Sequence, residues 1–197
     1  FNKGTAYITG TRYKLDDFTP YIYKTSDYGK TWKLITSGIN KLHFTRVMRA
    51  DHKRQGLLYA GTEYGMYISY NDGSSWKPFQ LNLPVVPITD LTIKNNDLIV
   101  ATQGRAFWVL DDLTRVQQLN PEILSANLKV YDVNPAYRMM GNRFSAFFGV
   151  PKNAGTNPPK GAVINYYAKN VTDSKKKKIT ILDKDRKTIR SYVTDSK

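Results

Sequence analysis

The sequence predicts an all-β protein assembled from small antiparallel sheets that repeat along the chain. Three observations carry this expectation. Short runs of β-branched and aromatic residues dominate, with 14 Tyr and 8 Phe among 197 residues. Turn residues separate those runs at regular intervals. A corner phrase is written twice, as TSDYGKTW over residues 25 to 32 and as SYNDGSSW over 69 to 76.

The corner phrase has a chemical logic. An Asp or Asn opening a tight turn accepts backbone N–H bonds through its short side chain, and Gly two places later takes up the positive φ that closes a hairpin. A hydroxyl bonds back across the turn, and a Trp at the start of the next strand wedges its ring between sheets. Thr25, Asp27, Gly29, Thr31 and Trp32 hold these places in the first copy. Ser69, Asn71, Gly73, Ser75 and Trp76 hold them in the second.

The elements follow in order. AYITGTRY, YIYKTS and TWKLI read as strands, with KLDDFTP inserted after the first; Asp16 and Asp17 fall in that insertion. TRVMRAD, LLYAGTE, GMYISY and SSWKPF then form a second unit, and ITDLTIK, LIVATQG, AFWVLDD and TRVQQL a third. Thr62 lies 14 residues before Trp76, and Thr102 lies 14 before Val116, so Val116 takes the Trp place and Asp111 the corner carboxylate of the third unit. The spacing from Trp32 to Trp76 is 44 residues and from Trp76 to Val116 is 40. Four-stranded units at that period predict the blades of a β-propeller over residues 1–119. Three blades do not close a ring, so the chain is expected to be a portion of a longer parent that supplies the remaining blades, unless another chain does.

The phrase resembles the Asp-box, or BNR repeat, of sialidases, sortilin-type receptors and exported bacterial propellers. Thr25 stands at its first place, Asp27 at the third, Gly29 at the fifth and Trp32 at the eighth. The second copy departs by Asn71, and the third retains Asp111 while Leu113, Arg115 and Val116 replace Gly, Thr and Trp. The run TQGRAFWVLDDLTRVQQL, then KVYDVNPAYR and NPPKGAVINYYAKN, is similar to the end of sortilin-like BNR proteins of bacteria, in which a last blade runs into an immunoglobulin-like sandwich. That resemblance implies a linker over 120–158 and the start of such a sandwich over 159–197. KKITILDKDRKTIRSYV reads as one of its hairpins. The resemblance further implies export, to the periplasm, the cell envelope or the outside.

Composition narrows the function. Cysteine is absent, which removes disulfides and thiolate chemistry. Apolar runs such as AFFGV at 146 to 150 are far too short to span a bilayer. The charge of +14 raises nucleic acid as a partner, yet half of it lies in the last 38 residues, where eleven basic residues face four acidic ones. The tetralysine Lys175 to Lys178 there reads as a solvated loop, and nucleic acid is not the expected partner.

Candidate chemistry is sparse. His43 and His52 have no carboxylate at metal-ligand spacing, and no cofactor motif occurs, so neither metal nor cofactor is expected. Arg12, Arg46, Arg49 and Arg105 are available for a carboxylate clamp but are expected to form surface or interblade ion pairs, and Glu63 and Glu122 are the only glutamates, a scarcity that tells against a sugar-cleaving centre in this portion. Tyr21, Tyr23, Tyr64, Tyr67, Phe107 and Trp108 are expected to pack between blades, and Asn170-Val171-Thr172 has the form of a glycosylation sequon. The reading that follows is a binding scaffold for a protein, peptide or glycan. The alternative is part of a sialidase-like glycoside hydrolase whose catalytic residues lie largely elsewhere.

Overall fold

A computed structural model describes residues 2–136, 161–169 and 177–194. The chain is all-β and divides into two compact units, Phe1–Gln117 and Gln118–Lys197.

The first unit is a stack of antiparallel meanders in the manner of propeller blades. The first sheet joins β1 (Ala6–Arg12), β2 (Asp17–Thr25) and β3 (Lys33–Leu34) in that order. The expected insertion is largely strand: only Tyr13–Leu15 forms a 3-10 turn, and Phe18 to Pro20 belong to β2. Left-handed Asp16 closes this tip, and its N–H donates to the Tyr13 carbonyl. The second sheet contains all four strands, β4 (Thr45–Ala50), β5 (Leu58–Thr62), β6 (Gly65–Ser69) and β7 (Lys77–Pro78). The third joins β8 (Ile88–Lys94), β9 (Asp97–Thr102) and β10 (Phe107–Leu110). Its expected fourth strand, TRVQQL, is instead the helix α1 (Thr114–Gln118). Thr114 donates its N–H to Asp112 at the start of that turn, and no Trp is present to anchor an outer strand.

Two apolar interfaces hold the stack. Ile22, Ile35 and Ile39 of the first sheet and its exit loop meet Met48, Leu58, Ala60, Tyr67 and Trp76 of the second. On the opposite side, Val47, Leu57, Tyr59, Met66 and Ile68 meet Ile88, Leu91, Leu98, Val100 and Leu113. The middle sheet is therefore covered on both faces, and every residue of β5 and β6 is buried. Their near-continuous apolar sequence follows from that position. Polar groups complete the second interface: buried Asp51 accepts from the N–H groups of Lys53 and Arg54, from Tyr59 Oη and from Gln117 Nε2, which also donates to Asn96 Oδ1. Burial and the Asp51 carboxylate push the Tyr59 phenol up.

The second unit, over its described residues, holds a helix, a strand pair and a hairpin. Within the expected linker, α2 (Pro121–Ser125) is capped by Asn120, whose Oδ1 accepts from Ile123 N at 2.8 Å, and Pro121 sits where no N–H is needed. β11 (Leu128–Val130) pairs with β12 (Tyr166–Ala168). β13 (Lys177–Leu182) and β14 (Thr188–Thr194) form the hairpin expected from KKITILDKDRKTIRSYV, and the Asp183 carboxylate accepts from Asp185 N and Lys187 N inside the turn. The sequon at 170–172 and residues 137–158 of the linker lie outside the described residues. No helix among the described residues is long and apolar enough to cross a membrane.

Candidate functional site

The meander places its connections on two opposite rims of the first unit. One rim carries the repeated corners. In the first, Thr25 Oγ1 donates to Asp27 Oδ1 at 2.8 Å and accepts from Gly29 N at 2.9 Å, while Thr31 N and Oγ1 donate to the two Asp27 oxygens at 2.9 and 2.6 Å. In the second, Ser69 Oγ donates to Asn71 Oδ1 and accepts from Gly73 N, Ser75 N donates to Asn71 Oδ1, and Asn71 Nδ2 donates to Ser75 Oγ. The two networks join the same positions, with one bond reversed: Thr31 Oγ1 donates to Asp27, while Ser75 Oγ accepts from Asn71. The hydroxyl of Thr31, the Thr31 N–H and the Thr25 hydroxyl together hold the Asp27 carboxyl down to about 2.

The third corner is displaced by one residue. Asp112, not Asp111, accepts from Thr114 N and Asn96 Nδ2, and Asp111 is exposed. The cause lies in the preceding hairpin tip. Thr62 Oγ1 reaches the carbonyl three residues on, at Gly65, whereas Thr102 Oγ1 reaches the carbonyl four residues on, at Ala106. One extra tip residue shifts everything after it, so a fixed count from Thr102 lands one place early. β10 consequently turns Trp108 toward Val100, and Phe107 lies 76% exposed on the other face.

The opposite rim, made of hairpin tips and links between sheets, carries an aromatic ledge. The Tyr13 ring, at the first tip, stacks on Phe44 with centroids 5.0 Å apart and planes inclined by 18°. The Arg46 guanidinium lies 5.1 Å from the Phe44 ring centre and 5.9 Å from that of Tyr13. Its Nε and Nη2 both reach Glu63 Oε2 at 2.6 Å. Both contacts fall on the one oxygen of a Glu63 side chain that is a quarter exposed. Glu63 N donates to the Phe44 carbonyl, locking the second tip to the link.

His43 continues the ledge beside Phe44. Its ring centre lies 4.8 Å from that of Tyr64, which is 51% exposed, and Tyr67 Oη lies 2.9 Å from Nδ1. The same phenol oxygen accepts from Asn40 N, so Tyr67 ties both Asn40 and His43 of the link to the second sheet. Burial pushes His43 below its ordinary value, which favours the neutral ring at pH 7. Tyr13 on Phe44 and Tyr64 on His43 make two ring pairs on this rim; Phe44, 3% exposed, is the buried base of the first, and Tyr13 and Tyr64 are the rings that reach solvent. Such a surface suits stacking and hydrogen bonding to a ligand.

Three of the four candidate arginines form ion pairs and not a carboxylate clamp. Arg12 pairs with Asp17 at 3.4 Å, Arg46 with Glu63, and Arg49 with Asp90 at 2.7 Å, each with a different carboxylate. Arg105 lies in the third tip, where its carbonyl accepts from Trp108 Nε1. His52 is exposed in the turn between β4 and β5, and among the described residues no three His, Asp or Glu side chains group as metal ligands. The aromatic expectations divide: Tyr67 and Trp108 join the interfaces, Tyr21 stacks on Tyr23, and Tyr64 and Phe107 are exposed. Sequence reasoning missed Tyr13 and Phe44 altogether. The one available signal was TEYG, a tight tip that places a carboxylate and a ring side by side.

No protein-family model matches the chain, and no curated protein does. Among solved structures, an ancestral GH74 enzyme aligns at 19% identity and a TM-score of 0.42, covering 53% of this chain and 12% of the enzyme's. YCF48 bound to D1 peptide aligns at 18% identity and a TM-score of 0.36, covering 47% of this chain and 31% of that one. Likenesses of this extent carry no functional conclusion. The class of molecule is defined by its own geometry, a stack of propeller-type sheets with corners on one rim and an aromatic ledge on the other.

Proposed function

We propose that the first unit is a binding module of a longer, exported Asp-box propeller of the sortilin-like kind. It takes a protein, peptide or glycan on its hairpin-tip rim, and the parent chain supplies the remaining blades. The second unit is the beginning of the immunoglobulin-like domain implied by the sequence resemblance. The observation that carries the reading is the ledge itself: Tyr13 and Tyr64 are 38% and 51% exposed, yet their neighbours Phe44 and His43 are fixed by stacking and hydrogen bonds. Rigid, part-exposed rings lose little conformational freedom on binding, which is what a recognition surface requires.

The corners support the same division of labour. Their polar groups are directed into their own turns, and Asp27 and Asn71 bond to Thr25, Thr31, Ser69 and Ser75. The ledge, with the part-exposed Glu63 carboxylate beside Tyr64, is where a ligand finds an acceptor. The test is selection of ligands from a random-peptide library and a soluble oligosaccharide panel, followed by titration of the selected probes. Tyr64→Ala and Tyr13→Ala are expected to weaken binding at least tenfold, whereas Tyr28→Ala on the opposite rim leaves it unchanged. Binding indifferent to both ledge substitutions sinks the proposal. Turnover of a fluorogenic glycoside that disappears in Glu63→Gln replaces it with the hydrolase reading.

A further inference from the structure

The two rims of the first unit differ in where they hold apolar side chains. On the corner rim, the turns of the second and third sheets read DHKRQG over 51–56, NDGSS over 71–75 and KNND over 94–97, with no large apolar residue among them. On the hairpin-tip rim, Leu15 of the first tip, Leu42 of the first link, and Leu81 and Val85 of the second link are 66–70% exposed. Gln80 fastens the second link beside the second tip: its Oε1 accepts from Met66 N, and its Nε2 donates to the Leu83 and Pro84 carbonyls. At the far end of that link, the Pro87 carbonyl accepts from Gln103 N of the third tip. Leu42, Leu81 and Val85 thus stand over the two internal interfaces, and their exposure does not arise at either flank of the stack.

Two of these leucines sit on turns that are themselves tied down. Leu83 N donates to the Gln80 carbonyl at 2.9 Å, and Leu81 inside that turn has φ 47°. Left-handed backbone suits Gly or Asn, so a bulky apolar residue there is strained as well as exposed. In the first link, His43 N closes a turn on the Asn40 carbonyl at 3.0 Å, Asn40 N is held by Tyr67 Oη, and Leu42 lies within the turn. Neither leucine belongs to an apolar cluster among the described residues. Side chains that add nothing to the core and are held out on fastened turns are placed for a partner. Cations stand beside them. Lys14 precedes Leu15, Lys41 precedes Leu42, and Arg105 lies on the third tip; none of the three has an ion pair among the described residues. Arg12 and Arg46 on the same rim are matched by Asp17 and Glu63, and Asp16 is the one further carboxylate of these tips and links.

We propose that the hairpin-tip rim docks on a lipid surface bearing anionic headgroups. Leu15, Leu42, Leu81 and Val85 enter the headgroup layer, and Lys14, Lys41 and Arg105 meet its phosphates. The long stems of the two lysines lie along the apolar boundary while their charges stay in water. A protein is the less suited occupant. Single aliphatic side chains on separate turns do not make the contiguous, desolvated centre of a protein interface, whereas a fluid headgroup layer closes around each one. The docking surface is additional to the ledge and needs no ligand on Tyr13 or Tyr64.

The chain contains no cysteine, so a single introduced thiol takes a single dye. Leu42→Cys, Val85→Cys and, on the opposite rim, Lys53→Cys are each labelled with the polarity-sensitive dye NBD in the full chain. They are titrated with vesicles of equimolar phosphatidylcholine and phosphatidylglycerol, and with vesicles of phosphatidylcholine alone. On the anionic vesicles a blue shift and quenching by doxyl-labelled lipid are expected at 42 and 85 and not at 53. Without labels, Leu42→Asn and Leu81→Asn each weaken co-sedimentation with those vesicles about tenfold, and Lys41→Gln weakens it about fivefold. Leu81→Asn also raises the Tm, because Asn accepts the left-handed turn; a structural role for Leu81 would not join a higher Tm to weaker binding. Absence of vesicle binding overturns the proposal. Binding that leaves the dyes at 42 and 85 in water belongs to basic residues elsewhere, such as those of β13 and β14, and overturns it too. A blue shift at 42 and 85 that needs only more protein and no lipid makes a second copy the occupant, with the same consequence.

Discussion

The two Trp-bearing corners share a phrase, a hydrogen-bond pattern and a position in their sheets, and they differ in what lies beyond them. Around Trp32 the corner is complete but the ring is 44% exposed; around Trp76 the ring is 3% exposed and donates to the carbonyl of Ile35, 41 residues earlier. The turn is therefore a local device. The burial of its Trp belongs to the interface between sheets. A residue can match its counterpart in every local bond and still contribute very differently to stability.

The largest expected separation comes from truncating each ring. Trp76→Ala removes a buried side chain and its donor and is expected to cost about 3–5 kcal/mol, whereas Trp32→Ala, at an exposed site, stays within about 1 kcal/mol. Urea unfolding of both variants measures the difference, and equal losses would refute the comparison. A smaller separation is expected between the glycines. A Cβ at Gly38 (φ +94°) would stand 2.3 Å from the Trp76 carbonyl oxygen, while one at Gly29 (φ +85°) finds its nearest neighbour at 3.8 Å. Gly38→Ala is expected to cost about 2 kcal/mol or more, since a clash adds to the left-handed strain, and Gly29→Ala about 1 kcal/mol from strain alone. Denaturation midpoints for the pair decide it.

The smallest effect separates the corners by pH. Asp27 is held down to about 2 from an ordinary 3.8, so the folded state favours its ionised form. That contribution is fully present above the unfolded value and is lost as pH falls from about 4 through 2. Asn71 at the equivalent place does not titrate. Asp27→Asn is expected to flatten this part of the Tm-against-pH curve, and Asn71→Asp to steepen it. A wild-type slope that survives Asp27→Asn assigns the dependence to other carboxylates.

Particular residues mark how much was legible. Asp27, Thr31, Asn71 and Ser75 were readable because a tight turn closes on itself within a few residues, so sequence spacing is spatial spacing. The four strands of the second sheet, β4 to β7, were readable for a related reason, since its tips and turns are short. Asp111 was misassigned because one extra residue between Thr102 and Ala106 breaks the fixed count. TRVQQL, too, reads as a strand by analogy and folds as α1, because Asp112 caps Thr114 and Gln117 is drawn into the Asp51 network. The ledge was illegible: Arg46 and Glu63 lie 17 positions apart, and Tyr13 meets Phe44 only where one sheet's tip reaches the next sheet's link.

By itself the sequence determined the strand-rich class, the repeating unit and the chemistry of each corner, because all three depend on residues close along the chain. Only the tertiary structure decided which Trp is buried, which carboxylate closes the third turn and which rings share the ledge. Those outcomes depend on one sheet meeting another, and a difference of a single tip residue redirects every side chain that follows.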